Sequence, residues 1–379
     1  MDGGAAPARG RPTLVIVDGS VAVTGALVAA AQQAQLLGGE ADTVLVLPRG
    51  HRVEAQRLRD FAEVIVIPIV PLRRSLRSVL AYLPALVAGS LRLRREMRRL
   101  GCDRLQLNDF YLLHGAMLRL LGFRGRIVTF VRIDPARFGL AGRVWLAAAR
   151  WSSTELVAVS RFIQSRLGPR FPARLVYGQS SIVSPRAASP SPGRLFLFVG
   201  NYIEGKGQDL AVEAFHRIAT RYPAARLRFV GGDMGLARNR LFRQRLERLA
   251  ADGPAPGRIE FQGPSTDLAP DYAAAFAALN FSASESFSNT CLDASAAGLP
   301  LVATRCGGPE EIVDDGVSGF LVPVGDVAAM AERMAWLLDH PDRAAAMGAA
   351  GQALVATRFS SGEALTGLRP ALGLPPPAA

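Results

Sequence analysis

Short runs of hydrophobic residues alternate along the chain with longer amphipathic stretches. Ten apolar runs of four to six residues predict β-strands, and the helical periodicity between them predicts helices that include residues 25–37, 211–220 and 327–338. Near-continuous apolar strands that alternate with helices are typical of parallel sheets covered on both faces. The predicted strands occupy residues 13–17, 43–47, 63–67, 126–131, 155–159, 194–199, 225–230, 258–261, 300–303 and 319–322.

One stretch of different composition divides this alternation. Residues 178–193 are rich in Ser, Pro and Gly, which interrupt helices and strands alike. The sequence therefore predicts two α/β domains, residues 1–178 and 194–358, joined by a linker at 179–193. A C-terminal helix and tail at 359–379 follows, and we expect it to cross back to the first domain.

Composition places the chain among globular proteins, because 49% of its 379 residues are hydrophobic and 20% are charged. Its three cysteines, Cys102, Cys291 and Cys306, form no C-x-x-C pair, which argues against a disulfide framework and a zinc site. The first apolar run is too short for a signal peptide, and no uncharged stretch reaches the ~18 residues of a spanning helix. We therefore expect a cytoplasmic protein.

Charge is divided unevenly between the two halves of the chain. Residues 1–178 contain 26 arginines and 12 acidic residues, whereas residues 179–379 contain 18 basic and 20 acidic residues. The first half therefore favours an anionic partner. Residues 73–99 contain eight arginines, one acid (Glu96) and an uncharged run from 78 to 91. This pattern predicts attachment to an anionic membrane surface, the cytoplasmic face of the inner membrane, and not to nucleic acid. The alternative is a helix packed on the first sheet with a solvated arginine edge.

The chain contains a single lysine, Lys206. It lies in the glycine-rich turn 200–207, "GNYIEGKG", between a predicted strand and an amphipathic helix. A turn of this kind offers backbone amides and the positive end of a helix to a phosphate, and a lysine adds a mobile charge. A solvent-facing lysine is the plainer alternative. The turn also matches the start of a P-loop, G-x-x-x-x-G-K, but Gly207 replaces the Ser or Thr that would hold magnesium.

A longer signature follows in residues 283–323. Glu285 is separated by seven residues from Asp293, and the run G-L-P-L-V-A and the group Gly307, Gly308 and Glu311 come next. In these motifs the chain resembles the retaining GT-B glycosyltransferases of the group 1 type. The resemblance implies two Rossmann-like doubly wound domains facing across a cleft, with the acceptor on the first domain and the nucleotide sugar on the second.

The resemblance also implies roles for individual residues. Lys206 corresponds to the lysine that holds the donor diphosphate, Glu285 to the acid that contacts the transferred sugar, and Asp293 to the acid that binds the ribose. We expect Asp293 on the first turn of a helix that begins near Thr290. The implied donor site contains Gly25, Gly200, Asn201, Lys206, Glu285, Phe287, Ser288, Asn289, Thr290 and Asp293, and its catalytic residues are Lys206 and Glu285.

Three positions depart from the family pattern. Asn201 stands where the family usually has an arginine, and Asp293 is one methylene shorter than the usual glutamate. The histidine of the first domain is missing, because its expected position falls at Val131 or Arg132. Arg132 and His114 are the candidates for an acceptor contact or for charge stabilisation. For His114, a structural role on a helix face is the simpler interpretation.

The resemblance implies a hexosyltransferase that moves a sugar, with retention, from a nucleoside-diphosphate sugar to a glycan or lipid-linked acceptor in envelope polysaccharide or glycolipid synthesis. The leaving diphosphate would take the acceptor's proton. No D-x-D motif accompanies the signature, so we expect neither a metal nor a cofactor. Two alternatives stay open: a catalytically silent GT-B-like nucleotide-sugar-binding subunit, and a P-loop nucleotide hydrolase.

Overall fold

A computed structural model of the chain describes residues 11–70, 76–180, 182 and 194–375. These residues form two compact α/β units. Unit 1 contains the chain up to Ala158, Arg166–Val176 and the residues from Leu365 onward, whereas unit 2 contains Val159–Ser165 and Tyr177–Ala364. Most of the predicted linker at 179–193, and residues 73–75 of the predicted membrane segment, lie outside the described residues.

Unit 1 is built on a parallel sheet with the strand order β3-β2-β1-β4-β5-β6-β7. The order reverses beside β1, where Val17 lies opposite Val46 of β2 on one side and Leu107 of β4 on the other. The strands are β1 (Thr13–Val17), β2 (Asp42–Pro48), β3 (Glu63–Ile67), β4 (Arg104–Leu107), β5 (Arg126–Val131), β6 (Glu155–Ala158) and β7 (Arg174–Leu175).

Helices connect these strands. Thr24 caps the first helix, and its Oγ1 accepts a hydrogen bond of 3.3 Å from the Leu27 N–H, as expected of a helix N-cap. Short 3₁₀ turns occupy Ala55–Leu58 and Pro135–Phe138. The helices are α1 (Gly25–Leu37), α2 (Leu76–Arg99), α3 (His114–Leu120), α4 (Gly139–Ser152) and α5 (Arg161–Leu167).

Unit 2 repeats the design with the strand order β10-β9-β8-β11-β12-β13, all pairs being parallel. Its core is rich in buried aromatic side chains, among them Phe196, Phe215, Phe229 and Phe281. The strands are β8 (Leu195–Val199), β9 (Arg226–Val230), β10 (Ile259–Gln262), β11 (Ala277–Asn280), β12 (Leu301–Thr304) and β13 (Gly319–Val322). The helices are α6 (Gln208–Ala219), α7 (Ala237–Ala251), α8 (Ala269–Ala274), α9 (Asn289–Ala296), α10 (Val327–Asp339) and α11 (Pro341–Arg358), and a 3₁₀ turn occupies Gly308–Glu311.

The last helix, α12 (Ser361–Leu372), ends in unit 1. The Arg126 guanidinium donates hydrogen bonds to the carbonyl oxygens of Pro370 at 2.8 Å and Ala371 at 2.6 Å. Arg369 pairs with both carboxylate oxygens of Glu40. These bonds fasten the end of α12 to the first residue of β5 and to Glu40, two residues before β2.

The predicted fold class, α/β with two doubly wound parallel sheets, is confirmed. All ten predicted strands are present, each end within one residue of its expected place. Three strands were not predicted: β4, β7 and β11. The helix expected at 211–220 begins three residues earlier, at Gln208. In the part of the chain that the structure describes, no helix has the length and apolar character needed to cross a bilayer.

Candidate functional site

In unit 2, two loops leave the sheet where its strand order reverses. Residues 200–207 connect β8 to α6, and residues 281–288 connect the neighbouring strand β11 to α9. Both loops follow the carboxyl ends of adjacent parallel strands. Because open α/β sheets bind their ligands outside such a switch point, this edge of unit 2 is the expected position of a binding site.

The two loops place Lys206 against Glu285, 79 residues later in the chain. Lys206 Nζ lies 2.5 Å from Glu285 Oε1, and Ser282 Oγ donates a 2.8 Å hydrogen bond to the same oxygen. The lysine side chain keeps 35% of its surface exposed and the glutamate 14%. The ion pair is therefore within reach of a ligand from solvent.

Two glycines on either side of Lys206 shape its turn. Gly205 and Gly207 have φ values of +88° and +83°, in the left-handed region that favours glycine. A Cβ on Gly207 would lie 2.1 Å from the carbonyl oxygen of Phe281. The Ser or Thr that a P-loop needs at position 207 therefore has no room, which argues against the P-loop nucleotide hydrolase.

Asn201, where the family usually has an arginine, serves as a bridge between two loops. Its Oδ1 accepts a 3.2 Å hydrogen bond from the Gly232 N–H, in the segment that follows β9. The Gln208 side-chain amide donates to the carbonyl oxygens of Gly200 at 3.4 Å and Asn201 at 2.9 Å. The first part of the turn is thus fixed by amide groups.

The start of α9 is held by a residue that sequence reasoning missed, Asn280 at the end of β11. Its Nδ2 donates to the hydroxyl oxygens of Ser288 at 3.0 Å and Thr290 at 3.2 Å. Ser288 is the N-cap, and its Oγ accepts a hydrogen bond from the Cys291 N–H at 3.3 Å. The helix begins at Asn289, one residue before the expected start. A helix start of this kind favours an anion.

Asp293 lies on the second turn of α9 and not on the first turn, as was predicted, because the helix begins one residue earlier than expected. Its side chain is almost fully buried, and Oδ1 accepts a 2.7 Å hydrogen bond from Ser180 Oγ. The Phe287 ring contacts those of Tyr177 and Phe359, with centroids 5.7 Å away in each case, and these two rings also contact each other at 4.9 Å. Its half-buried side chain packs against the core of unit 2.

The Gly307-Gly308 pair fixes the backbone of Glu285. The Glu285 N–H donates to Cys306 O at 3.1 Å, and the Gly308 N–H donates to Glu285 O at 2.8 Å. A Cβ on Gly307 would lie 2.7 Å from that carbonyl oxygen. Glu311 has a structural role, because its carboxylate accepts hydrogen bonds from the backbone N–H groups of Arg161 and Phe162 at the start of α5. Among the described residues, no three His, Cys, Asp or Glu side chains are grouped as metal ligands.

In unit 1 the candidate residues lie on different elements. Gly25 is the first residue of α1, and His114 is the first residue of α3. His114 is buried, and burial lowers its pKa to about 4, so the ring is neutral at physiological pH. Neither ring nitrogen has a hydrogen-bond partner among the described residues. His114 therefore lies inside the core, where α2 and α3 pack together.

Arg132 lies just beyond β5, and it joins three residues that the sequence analysis did not single out. Its Nε donates a 2.8 Å hydrogen bond to Asn108 Oδ1, and Asn108 Nδ2 in turn donates to the carboxylate of Asp18. The N–H groups of Phe110 and Arg132 donate to Asp109 Oδ1 at 2.9 and 3.3 Å. Burial raises the pKa of Asp109 to about 7 and lowers that of Arg132 to about 10.

Known proteins share this architecture. HepE of Anabaena, solved with UDP-glucose, superposes with a TM-score of 0.80 over 95% of this chain and 99% of its own, at 19% sequence identity. Sucrose-phosphate synthase of Thermosynechococcus elongatus gives 0.76 over 94% and 97%, also at 19% identity. Residues 193–340 match the family model of glycosyl transferases group 1. The chain has the fold of the GT-B glycosyltransferases. Their two-domain fold, expected from the signature motifs, is confirmed.

Two named relatives share part of this GT-B chain. The D-inositol 3-phosphate glycosyltransferase of Frankia alni is 39% identical over 155 residues, which cover 39% of this chain and 38% of the relative. A GDP-mannose-dependent alpha-(1-6)-phosphatidylinositol monomannoside mannosyltransferase of Mycolicibacterium smegmatis is 36% identical over 159 residues, 39% of each chain. The matched part spans about two fifths of these relatives.

Proposed function

We propose that this protein is a retaining glycosyltransferase. It transfers a hexose from a nucleoside-diphosphate sugar to a glycan or lipid-linked acceptor in the synthesis of an envelope polysaccharide or glycolipid. The observation that carries the proposal is the Lys206–Glu285 ion pair at the switch point of unit 2, with Nζ and Oε1 2.5 Å apart. It combines a cation for a diphosphate with an acid for sugar hydroxyls.

In the proposed reaction the donor separates the two side chains of this ion pair. Its diphosphate binds Lys206, and its sugar binds Glu285. Lys206 moves from Glu285 to the diphosphate and neutralises the charge that develops as the glycosidic bond breaks. Glu285, still held by Ser282, accepts hydrogen bonds from the transferred sugar. The start of α9 receives the phosphate nearer the sugar. Asp293 accepts a hydrogen bond from the ribose, and Ser180 holds the carboxylate in place.

Retention follows if the acceptor attacks from the face that the diphosphate leaves. An oxygen of the departing diphosphate then takes the acceptor's proton, and the chain needs no base of its own at that point. The substrates of similar proteins support the substrate classes. HepE was solved with UDP-glucose, and the named relatives act on D-inositol 3-phosphate or use GDP-mannose with a phosphatidylinositol mannoside.

The test is release of nucleoside diphosphate from a panel of UDP- and GDP-hexoses, with and without acceptors, followed by chromatography. We expect one donor to be hydrolysed slowly and transferred faster when an acceptor is added, and the anomeric coupling of the product to match that of the donor. Glu285→Gln should lower turnover by about 10²-fold. Glu204→Gln, at an exposed position in the Lys206 turn, is the matched control. Binding without turnover would favour the silent subunit, and no binding would refute the proposal.

The acceptor side of the proposal includes an anionic membrane surface. Helix α2 buries Leu86, Leu93 and Met97 and exposes Leu83 and Leu91. Arg92, Arg95 and Arg98 are exposed on the same helix, whereas Arg99 is paired with Glu63 and Glu96. Each exposed cation near an anionic surface contributes about 1 kcal/mol to attachment. Lipid-linked acceptors would then be met at the membrane by unit 1.

Co-sedimentation with liposomes tests this attachment. We expect binding to phosphatidylglycerol vesicles that weakens with salt, and binding several-fold weaker when Arg92, Arg95 and Arg98 become Gln. The control is the same change at Arg238, Arg240 and Arg248, three exposed arginines of α7 in unit 2. Equal sedimentation with neutral and anionic vesicles would refute attachment through α2 and favour a soluble glycan acceptor.

A further inference from the structure

A polar cluster lies at the carboxyl ends of β1, β4 and β5 in unit 1. We define the switch-point cluster as Asp18, Asn108, Asp109 and Arg132. Asp18 directly follows β1, Asn108 and Asp109 follow β4, and Arg132 follows β5. The strand order reverses between β1 and β4, so the cluster occupies the position at which an α/β sheet binds its ligand. No role assigned so far involves Asp18, Asn108 or Asp109.

Two members of the cluster act as supports. Asp18 accepts a 2.7 Å hydrogen bond from the Ser20 N–H at Oδ1 and one from Asn108 at Oδ2. Asn108 also donates to the carbonyl oxygen of Ala26 at 3.0 Å, and its own Oδ1 receives Arg132 Nε. All of these groups are satisfied within the protein. They fix the direction in which Arg132 points.

The other two members keep unused hydrogen-bonding groups. Asp109 uses Oδ1 for two backbone N–H groups, and its Oδ2 has no hydrogen-bond partner among the described residues. Arg132 uses only Nε, so its two terminal nitrogens have no such partner in the described part of the chain either, and no ion pair. The cluster therefore presents one carboxylate oxygen that accepts and two guanidinium nitrogens that donate.

The carboxylate of Asp109 is held at a cost in stability. Asp109 is 2% exposed, and burial raises its pKa more than the two backbone N–H groups and Arg132 lower it. A buried carboxylate with an unused oxygen costs free energy that a neutral residue would not. Ionisable groups kept at such a cost concentrate at binding and catalytic sites. The cluster thus has the character of a ligand site.

We propose that Asp109 and Arg132 bind two neighbouring hydroxyl groups of the acceptor's ring. One hydroxyl donates to Asp109 Oδ2, and the next accepts from the terminal nitrogens of Arg132. The carboxylates of Asp18 and Asp109 offset the guanidinium charge, which favours an uncharged ring over an anion. This inference rests on the proposed function, since it specifies a subsite for that reaction's acceptor: the diol of a sugar or cyclitol ring.

Ligand-observed saturation-transfer NMR on the full chain tests the subsite. The probes are methyl α-mannoside, which carries neighbouring hydroxyls, and its 2,3-di-O-methyl derivative, which does not. We expect the first probe to bind in the millimolar range and the second at least tenfold more weakly. Asp109→Asn and Arg132→Gln should each weaken binding of the first probe at least tenfold. The matched controls are Asp103→Asn, exposed at the opposite end of β4, and the exposed Arg124→Gln.

UDP binding is measured in the same samples. Intact UDP binding in the Asp109 and Arg132 variants shows that unit 2 is preserved and that the loss belongs to unit 1. If both variants bind methyl α-mannoside as well as the controls do, or if neither probe binds the unmodified chain, the subsite is refuted while the proposed transferase stands. If no nucleotide or nucleotide sugar binds, the proposed function fails, and the mannoside result still decides whether the subsite exists.

Discussion

Both units carry polar groups where the strand order of a parallel sheet reverses, but different elements hold these groups in place. In unit 2 the groups stand on loops several residues beyond the strands, and glycines such as Gly207 and Gly307 let those loops approach other backbone closely. In unit 1 the groups follow the strands directly and are held by side-chain hydrogen bonds, as in the Asp18–Asn108–Arg132 chain. Glycine turns keep the functional residues of unit 2 at a fixed spacing in the sequence, and this spacing can be recognised as a motif. The residues at the strand ends of unit 1 have no such spacing.

The outer surfaces differ as well. Seven large apolar side chains are exposed among the described residues of unit 1 and three among those of unit 2. The excess of arginine over acid also lies in the first half of the chain. Exposed apolar groups beside cations suit an interfacial surface, and the nearly neutral second half suits a small soluble donor. Those in unit 1 are Val21, Leu83, Leu91, Leu120, Leu140, Val144 and Trp151, and those in unit 2 are Leu241, Val317 and Val324.

Removing the charge of Lys206 should have the largest effect. Lys206→Ala should lower turnover by about 10²–10³-fold, because no other basic side chain in the turn can neutralise the leaving diphosphate. Lys206→Arg should restore only part of it, since a planar fork replaces a compact ammonium. Steady-state kinetics with the donor found in the panel measure both variants. Full activity of the Ala variant would remove Lys206 from the donor site.

Replacing the two glycines of the turn distinguishes the effect of its left-handed backbone conformation from the effect of its close contact with Phe281. Gly205 and Gly207 share the left-handed conformation, but nothing lies within 4 Å of a Cβ on Gly205. Gly205→Ala should therefore cost about 1 kcal/mol in the free energy of unfolding. Gly207→Ala should cost at least about 2 kcal/mol more, because Phe281 O must move. Chemical denaturation measures both, and equal losses would contradict the close approach.

The two acids of unit 2 should separate turnover from nucleotide binding. Glu285→Gln should lower turnover by about 10²-fold with little change in UDP or GDP affinity, since its partner is the sugar. Asp293→Ala should weaken nucleotide affinity by about tenfold, because it loses the ribose contact and leaves Ser180 without its acceptor. Calorimetry with the bare nucleotide distinguishes them. The reverse pattern would mean that the two roles are exchanged.

A pH-dependent effect is expected at Asp109. Its pKa is raised from 3.8 to about 7 in the folded chain, so the folded state holds a proton that the unfolded state loses between these values. Stability conferred by that proton is therefore present near pH 4 and is lost as the pH rises to 7. Asp109→Asn should unfold at a higher temperature than the parent at pH 8 and at nearly the same temperature at pH 4. Asp103→Asn should show no such pH dependence. A lower unfolding temperature of Asp109→Asn at pH 8 would show that the carboxylate stabilises the fold.

Sequence patterns predicted the strands whose residues are continuously apolar and missed those that are not. Strand β4 reads Arg-Leu-Gln-Leu, and its buried Gln106 is satisfied only by a distant partner, Gln33, which no local pattern reveals. Strand β11 reads Ala-Ala-Leu-Asn, a composition with weak strand propensity, and becomes a strand because it lies between β8 and β12.

Because β4 and β11 were not predicted, parts of both sites were not predicted either. Without β4, Asn108 and Asp109 could not be assigned to a strand end, and without β11, Asn280 could not be assigned to the start of α9. The Gly, Lys and Glu positions of unit 2 were predictable because backbone contacts fix their spacing. Their pairing distance was not, because it depends on two loops separated by 79 residues.

The hydrogen bonds from Arg126 to the end of α12 also bear on the order in which the chain can fold during its synthesis. A ribosome that has made β1 to β7 has still to add almost two hundred residues before Pro370 and Ala371 emerge. Until then Arg126 lacks its bonds to α12 and Glu40 lacks Arg369, and the side of unit 1 that α12 covers stays open. Unit 2, which is continuous from Tyr177 to Ala364, can complete its core first. The domain that begins the chain would thus be the last to close.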